Sequence, residues 1–153
     1  MNYDVIADIH GQYQKLLALL QSLGYRKRQG AFRHPDGRQA IFLGDLIDRG
    51  PLQEEVLYTV RDMIEAGTAR CIMGNHEWNA IGYATPIGDG QYGHARSPKN
   101  LKHHHVFLDQ VGPDSPRHKA WVEWFKTLPP LLDLGGIRVP HARWRQSQIH
   151  VIQ

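Results

Sequence analysis

The chain has 153 residues, 41% hydrophobic and 22% charged, with a formal net charge of +3. This is one domain's worth of ordinary globular composition, and no apolar run approaches the ~18 residues needed to cross a bilayer, so no membrane partner is expected. Met1–Asn2–Tyr3–Asp4 carries no basic stretch leading into an apolar one, which points to a cytoplasmic protein, and the single Cys71 excludes an internal disulfide.

In chain order, Tyr3–Ala7 reads as a first strand and Gln12–Leu23 as a helix, with Leu16, Leu19, Leu20 and Leu23 at three- and four-residue spacing and Gly24 at its end. Tyr25–Pro35 is mixed and basic, suited to a short hairpin, and His34–Pro35–Asp36–Gly37 is a turn. A second strand over Gln39–Leu43 is followed by a helix from Pro51 to about Ala66, buried through Val56, Leu57, Val60 and Ile64, and by a third strand, Ala69–Met73. Strand, helix, strand, helix, strand is the order of an α/β fold, a largely parallel sheet with βαβ crossovers. Trp78–Pro116 is punctuated by glycine and proline and reads as an irregular stretch, either an insertion with some helix in it or a functional loop region. Pro116–Leu128 is an amphipathic helix through Trp121, Trp124, Phe125 and Leu128; Leu131–Val139 reads as a strand or hairpin. The expected division is a domain over 1–141 and an irregular tail over 142–153. Arg26–Lys27–Arg28 with Arg33, and Lys99, Lys102 and His103–His105, form two basic clusters that read as solvated loops.

Three apolar runs switch abruptly to polar tips: Asp8–Ile9–His10–Gly11, Gly44–Asp45–Leu46–Ile47–Asp48–Arg49–Gly50 and Gly74–Asn75–His76–Glu77. Side by side in a parallel sheet, these tips meet at the edge where open α/β sheets place their chemistry. Carboxylate, amide and imidazole donors gathered there are the makings of a metal site. On an extended strand Asp8 and His10, two residues apart, face one side and can share a cation. Asp45 can bridge to a second cation, Asn75 supplies a neutral oxygen, and His141 ends a further apolar run. Two ions about 3.5–4 Å apart activate a hydroxide and polarise a phosphoryl group. His76 beside Asp48 is an acid–base candidate, and the Arg49 fork matches two phosphate oxygens.

These three blocks resemble the signatures of the calcineurin-like metallophosphoesterases. Within that family they are similar to the phosphoprotein-phosphatase and diadenosine-tetraphosphatase branch, in which the Asp48–Arg49–Gly50 and Asn75–His76–Glu77 forms occur. The resemblance covers residues 3–81 and resumes around Leu131–His141, and it implies part of that family's metallophosphoesterase sandwich. It also implies that Asp8 and His10 hold the first metal, Asp45 bridges, and Asn75 and His141 are further metal ligands. His76, supported by Asp48, is then the proton donor, and Arg49 clamps the phosphate. The implied cofactors are two metal ions, with Mn, Fe and Zn all suited to the donors. The implied reaction is in-line hydrolysis of a phosphoric ester by a metal-bridging hydroxide, as in a serine/threonine-type phosphatase or a bis(nucleosyl)-tetraphosphatase. The substrate is a phosphoprotein, a dinucleoside polyphosphate or a small phosphomonoester.

Family members continue into further strands and another histidine, usually after a glycine. Here twelve residues follow His141, with His150 but no Gly–His pair among them. Two alternatives therefore stand beside the enzyme: an impaired homologue that keeps metal or phosphate binding, or a site that His150 or a partner chain completes. A nucleic-acid phosphodiesterase or nucleic-acid-binding module is the other rival, weakly supported by three excess charges. A nucleotide-binding Gly-rich loop is disfavoured, because Gly11 stands alone after the first strand.

Overall fold

A computed structural model describes residues 2–136 and 138–140 and the backbone of 150–151. The first half comprises β1 (Tyr3–Ala7), α1 (Tyr13–Ser22), the hairpin β2 (Arg26–Arg28) and β3 (Ala31–Arg33), β4 (Gln39–Phe42), α2 (Gln53–Glu65) and β5 (Ala69–Cys71). The second comprises α3 (Asn75–Ala84), β6 (Pro86–Gly88), β7 (Gln91–Tyr92), α4 (Pro98–Val111), α5 (Pro116–Phe125), β8 (Leu131–Asp133), β9 (Arg138–Pro140) and β10 (His150–Val151).

Strands β10, β1, β4 and β5 form one sheet in that order, every pairing parallel. Both faces are covered, which is why Ala40–Leu43 is apolar without alternation. Ile6, Ala40, Phe42, Ala69 and Cys71 face a core shared with Leu16 and Leu20 of α1 and Val56, Leu57, Val60 and Met63 of α2. Both crossover helices thus lie on one face, as two right-handed crossovers stepping in the same direction require. On the other face Ala7, Ile41, Leu43 and Ile72 pack against Val139, with Leu132 and Leu134 at the margin, all three from the β8–β9 segment.

Within Trp78–Pro116 the structure agrees with an insertion that contains helix, and more of it than the weak pattern suggests: α3 runs to Ala84 and α4 spans Pro98–Val111, capped by the Ser97 hydroxyl, which accepts the Asn100 amide at 3.2 Å. The α4 periodicity is hidden because its buried stripe, His104, Phe107, Leu108 and Val111, begins with a histidine among exposed Lys102, His103 and His105. Those residues are therefore one helix and not a solvated loop. In the tail, His150–Val151 pairs with β1, Ile6 opposite His150, where no regular element is expected from the sequence. Among the described residues no helix is long and apolar enough to cross a membrane.

At the opposite end of the sheet from the polar tips, Asp4 is 5% exposed and accepts hydrogen bonds from the Tyr25 hydroxyl at 2.8 Å and from Arg38 at 2.7 and 3.0 Å. Burial, reinforced by the Asp4 carboxylate, pushes the Tyr25 hydroxyl well above its ordinary value, so it remains a donor. Tyr25→Phe removes that donor while keeping the ring. We expect a loss of about 1–2 kcal/mol, read as a lower urea midpoint at unchanged slope; an unchanged midpoint would show that the bond contributes nothing net.

Candidate active site

The segments after β1, β4 and β5 emerge at the same edge and are joined through their backbones. The His10 amide donates to the Asp45 carbonyl at 2.9 Å and the Gly11 amide to Leu46 at 2.8 Å. The Gly50 amide donates back to His10 at 2.7 Å and the Leu52 amide to Gly11 at 3.1 Å. So close an approach excludes side chains: a Cβ at Gly44 would collide with the Gly74 amide nitrogen, and one at Gly50 with the His10 carbonyl oxygen. Asp8, His10, Asp45, Asp48 and Arg49 all hold positive φ, between 44° and 75°, a conformation that costs a non-glycine residue roughly 1–3 kcal/mol.

That backbone aims donors inward. His10 Nδ1 donates to the Ile47 carbonyl at 2.9 Å, which leaves Nε2 as the free lone pair. The His76 ring stands edge-on to His10 at 4.6 Å between centroids. One donor atom from each of His10, Asp45 and His76 lies within 4.8 Å of the others. Asp45 is 7% exposed, and its Oδ1 accepts the His76 amide at 3.1 Å.

Glu77 holds this arrangement together. Fully buried at the third position of α3, its carboxylate accepts the amides of Asp45 at 2.7 Å, Leu46 at 3.0 Å and Gly74 at 3.1 Å. One side chain thereby ties the loop after β4 to the start of α3. Burial, with the nearby Asp45 charge, pushes its carboxyl up to about 7 against the opposing pull of the three amides.

Asp48, 4% exposed, bridges two imidazoles: Oδ2 accepts from His76 Nδ1 at 2.7 Å and Oδ1 from His104 Nδ1 at 2.8 Å. Burial alone would raise the Asp48 carboxyl. The bonds from His104 and then His76 outweigh it and hold the group below its ordinary value. The hydrogen bond to Asp48 in turn raises His76, over the opposing effect of burial.

Of the residues singled out from the sequence, His10, Asp45 and His76 converge, and Asp48 meets His76. Asp8, half-buried after β1, is outside the cluster of mutually close donors. Asn75 is exposed as the first residue of α3 rather than in a loop, and Arg49 is exposed at the loop tip. His141 lies outside the described residues. Imidazole with its lone pair turned inward, beside a buried carboxylate, fits a divalent transition ion. Sequence reasoning missed Glu77 as the clamp and His104 as the second imidazole. The first was signalled by its place three residues after Gly74, and the second by its spacing to Phe107, Leu108 and Val111. Replacing Glu77 by Gln would leave three converging N–H groups with a single acceptor oxygen. We expect Glu77→Gln to cost about 2–3 kcal/mol of stability in a denaturant titration; an unchanged midpoint would remove the clamp from this account.

Comparison with known proteins bears on the family and the fold. The calcineurin-like phosphoesterase family profile matches residues 1–148. Over 76 residues, half of this chain, the sequence is 46% identical to a bis(5'-nucleosyl)-tetraphosphatase PrpE [asymmetrical] of Halalkalibacterium halodurans and 47% identical to that of Bacillus subtilis. The aligned stretch spans 31% of the length of each of these relatives. The fold also superposes on a metallophosphoesterase from Sphaerobacter thermophilus, with TM-score 0.55 and 19% identity over 90% of this chain and 45% of the other. For a protein serine/threonine phosphatase from Saccharomyces cerevisiae the TM-score is 0.54 at 20% identity, over 84% of this chain and 33% of that one. With its three strand-tip segments inside the matched region, the chain belongs to the calcineurin-like phosphoesterase family.

Proposed function

We propose that this chain carries the catalytic core of a metal-dependent phosphoric ester hydrolase whose substrates include dinucleoside polyphosphates. The observation that carries this reading is the convergence of His10, Asp45 and His76, with His10 Nδ1 committed to Ile47 so that Nε2 is left for an ion. Asp8 and His10 would hold one ion, Asp45 would bridge, and Asn75 would serve the second, with His141 a further ligand. When bound, such ions supply Lewis acidity to phosphoryl oxygens and lower the pKa of coordinated water.

The remaining work belongs to the chain. Arg49 is exposed and has no hydrogen bond or ion pair among the described residues, so its guanidinium is available to two oxygens of a phosphoryl group. His76 Nδ1 is engaged by Asp48, which leaves Nε2 to give a proton to the departing oxygen. No cysteine nucleophile is on hand, because Cys71 is buried in the sheet and burial raises its thiol well above the ordinary value. The names of the aligned relatives support a dinucleoside tetraphosphate as the first substrate to try.

The test is hydrolysis of p-nitrophenyl phosphate and of diadenosine tetraphosphate by the full chain, with Mn²⁺, Fe²⁺ or Zn²⁺ added singly after chelation. Activity should vanish on chelation and return with at least one ion. Asp45→Asn should lower turnover by ~10²-fold or more and reduce bound metal in equilibrium dialysis. Full turnover by Asp45→Asn, or by the metal-stripped protein, would rule this reading out.

A further inference from the structure

The Asp48 carboxylate is held at both oxygens, and the second hold comes from α4, 56 residues along the chain. A carboxylate bonded through one oxygen can still turn about its last torsion, which has broad, shallow minima. Asp48 has somewhere to turn, since with His76 and Tyr83 it borders a cavity of about 120 Å³. The His104 Nδ1–H on Oδ1 closes that option and leaves Oδ2 in line with His76 Nδ1.

His104 is itself firmly placed. Its ring stacks on Phe107 at 5.2 Å and meets the Tyr83 edge at 5.1 Å. Gln110, further along α4, accepts the Gln53 amide at 2.8 Å and donates to the Pro51 carbonyl at 2.6 Å, which locks the helix onto the start of α2. The His104 Nε2 is buried with no hydrogen-bond partner among the described residues. Burying a polar nitrogen unpaired costs roughly 1–3 kcal/mol, so a side chain present only for packing would be better apolar. The polar tie of this ring is the bond to Asp48.

We infer that His104 is a positioning residue: it fixes the plane of the Asp48 carboxylate so that Asp48 in turn fixes the tautomer and orientation of His76. The pair Asp48–His76 is thereby extended to His104–Asp48–His76, with the outer imidazole supplied by α4. The mechanistic meaning of this relay rests on the phosphoesterase reading; its geometry does not.

Two substitutions separate positioning from packing because they rank in opposite orders. His104→Phe keeps a ring in the stack and removes the donor. His104→Asn loses the ring and puts an amide N–H near the place of Nδ1. With the full chain labelled with ¹⁵N-histidine, exchange of the His76 Nδ1 proton with water is read by NMR and needs no turnover. We expect His104→Phe to accelerate that exchange about ten-fold, the equivalent of one ordinary hydrogen bond, and His104→Asn to stay near the unsubstituted protein. A His104→Phe protein with unchanged exchange, or a His104→Asn protein more affected than His104→Phe, would overturn the inference. Where the chain hydrolyses aryl phosphates, the kcat of His104→Phe should fall about ten-fold on phenyl phosphate and far less on p-nitrophenyl phosphate, whose leaving group needs little protonation. Equal losses on both would also overturn it. Absence of all hydrolysis would count against the proposed function alone, with proton exchange still deciding the role of His104.

Discussion

A carboxylate with no solvent around it holds this site in shape. Glu77 takes three backbone N–H groups from two segments more than 25 residues apart. Burying a charge is costly unless it is matched by donors, and here the donors are also the groups that most need an acceptor. The exchange fixes where the loop after β4 ends relative to the first turn of α3. Asp45 and His76 are consequently positioned by a single buried group, and their proximity does not depend on side-chain packing.

The same economy extends to the strained backbone. Five polar residues with positive φ cluster at the strand tips, and each would relax if its loop were free. The loops are not free, because glycines at 44, 50 and 74 let backbone lie on backbone and the amide bonds between tips hold the geometry. Strain is thereby concentrated where donors must point inward, while β1, β4 and β5 beneath remain regular and apolar. The Asp4–Tyr25–Arg38 group anchors the far end of the same sheet.

Much of this was legible in the sequence because the signals are local. Apolar runs ending in glycine and aspartate marked β1, β4 and β5, and leucine spacing marked α1 and α2, since both periods follow from backbone geometry alone. His10, Asp45 and His76 were legible for the same reason: they directly follow those runs. What was not legible depends on partners distant in the chain. The buried stripe of α4 opens with His104, whose polarity weakens the period, and its reason for being buried is Asp48, far upstream. Glu77 read as one more charge at a loop tip until the amides around it were visible. At Asp8 the i,i+2 rule does not apply as stated, because it assumes a continuing strand and the backbone leaves that conformation at Asp8 itself, with φ at 55°; its place beside His10 rests on the loop and not on strand alternation.

The amide bonds between the tips have a consequence for how a ligand is received. Connecting segments in α/β proteins are ordinarily the pliant part, where induced fit takes place. Here residues 10, 11, 50 and 52 each give their N–H to the neighbouring segment, so these connections continue the ladder past the last strand residues and inherit its stiffness. A molecule arriving at this edge would meet a preset frame, with the exposed side chain of Arg49, which has no hydrogen bond or ion pair among the described residues, the part left free to adjust.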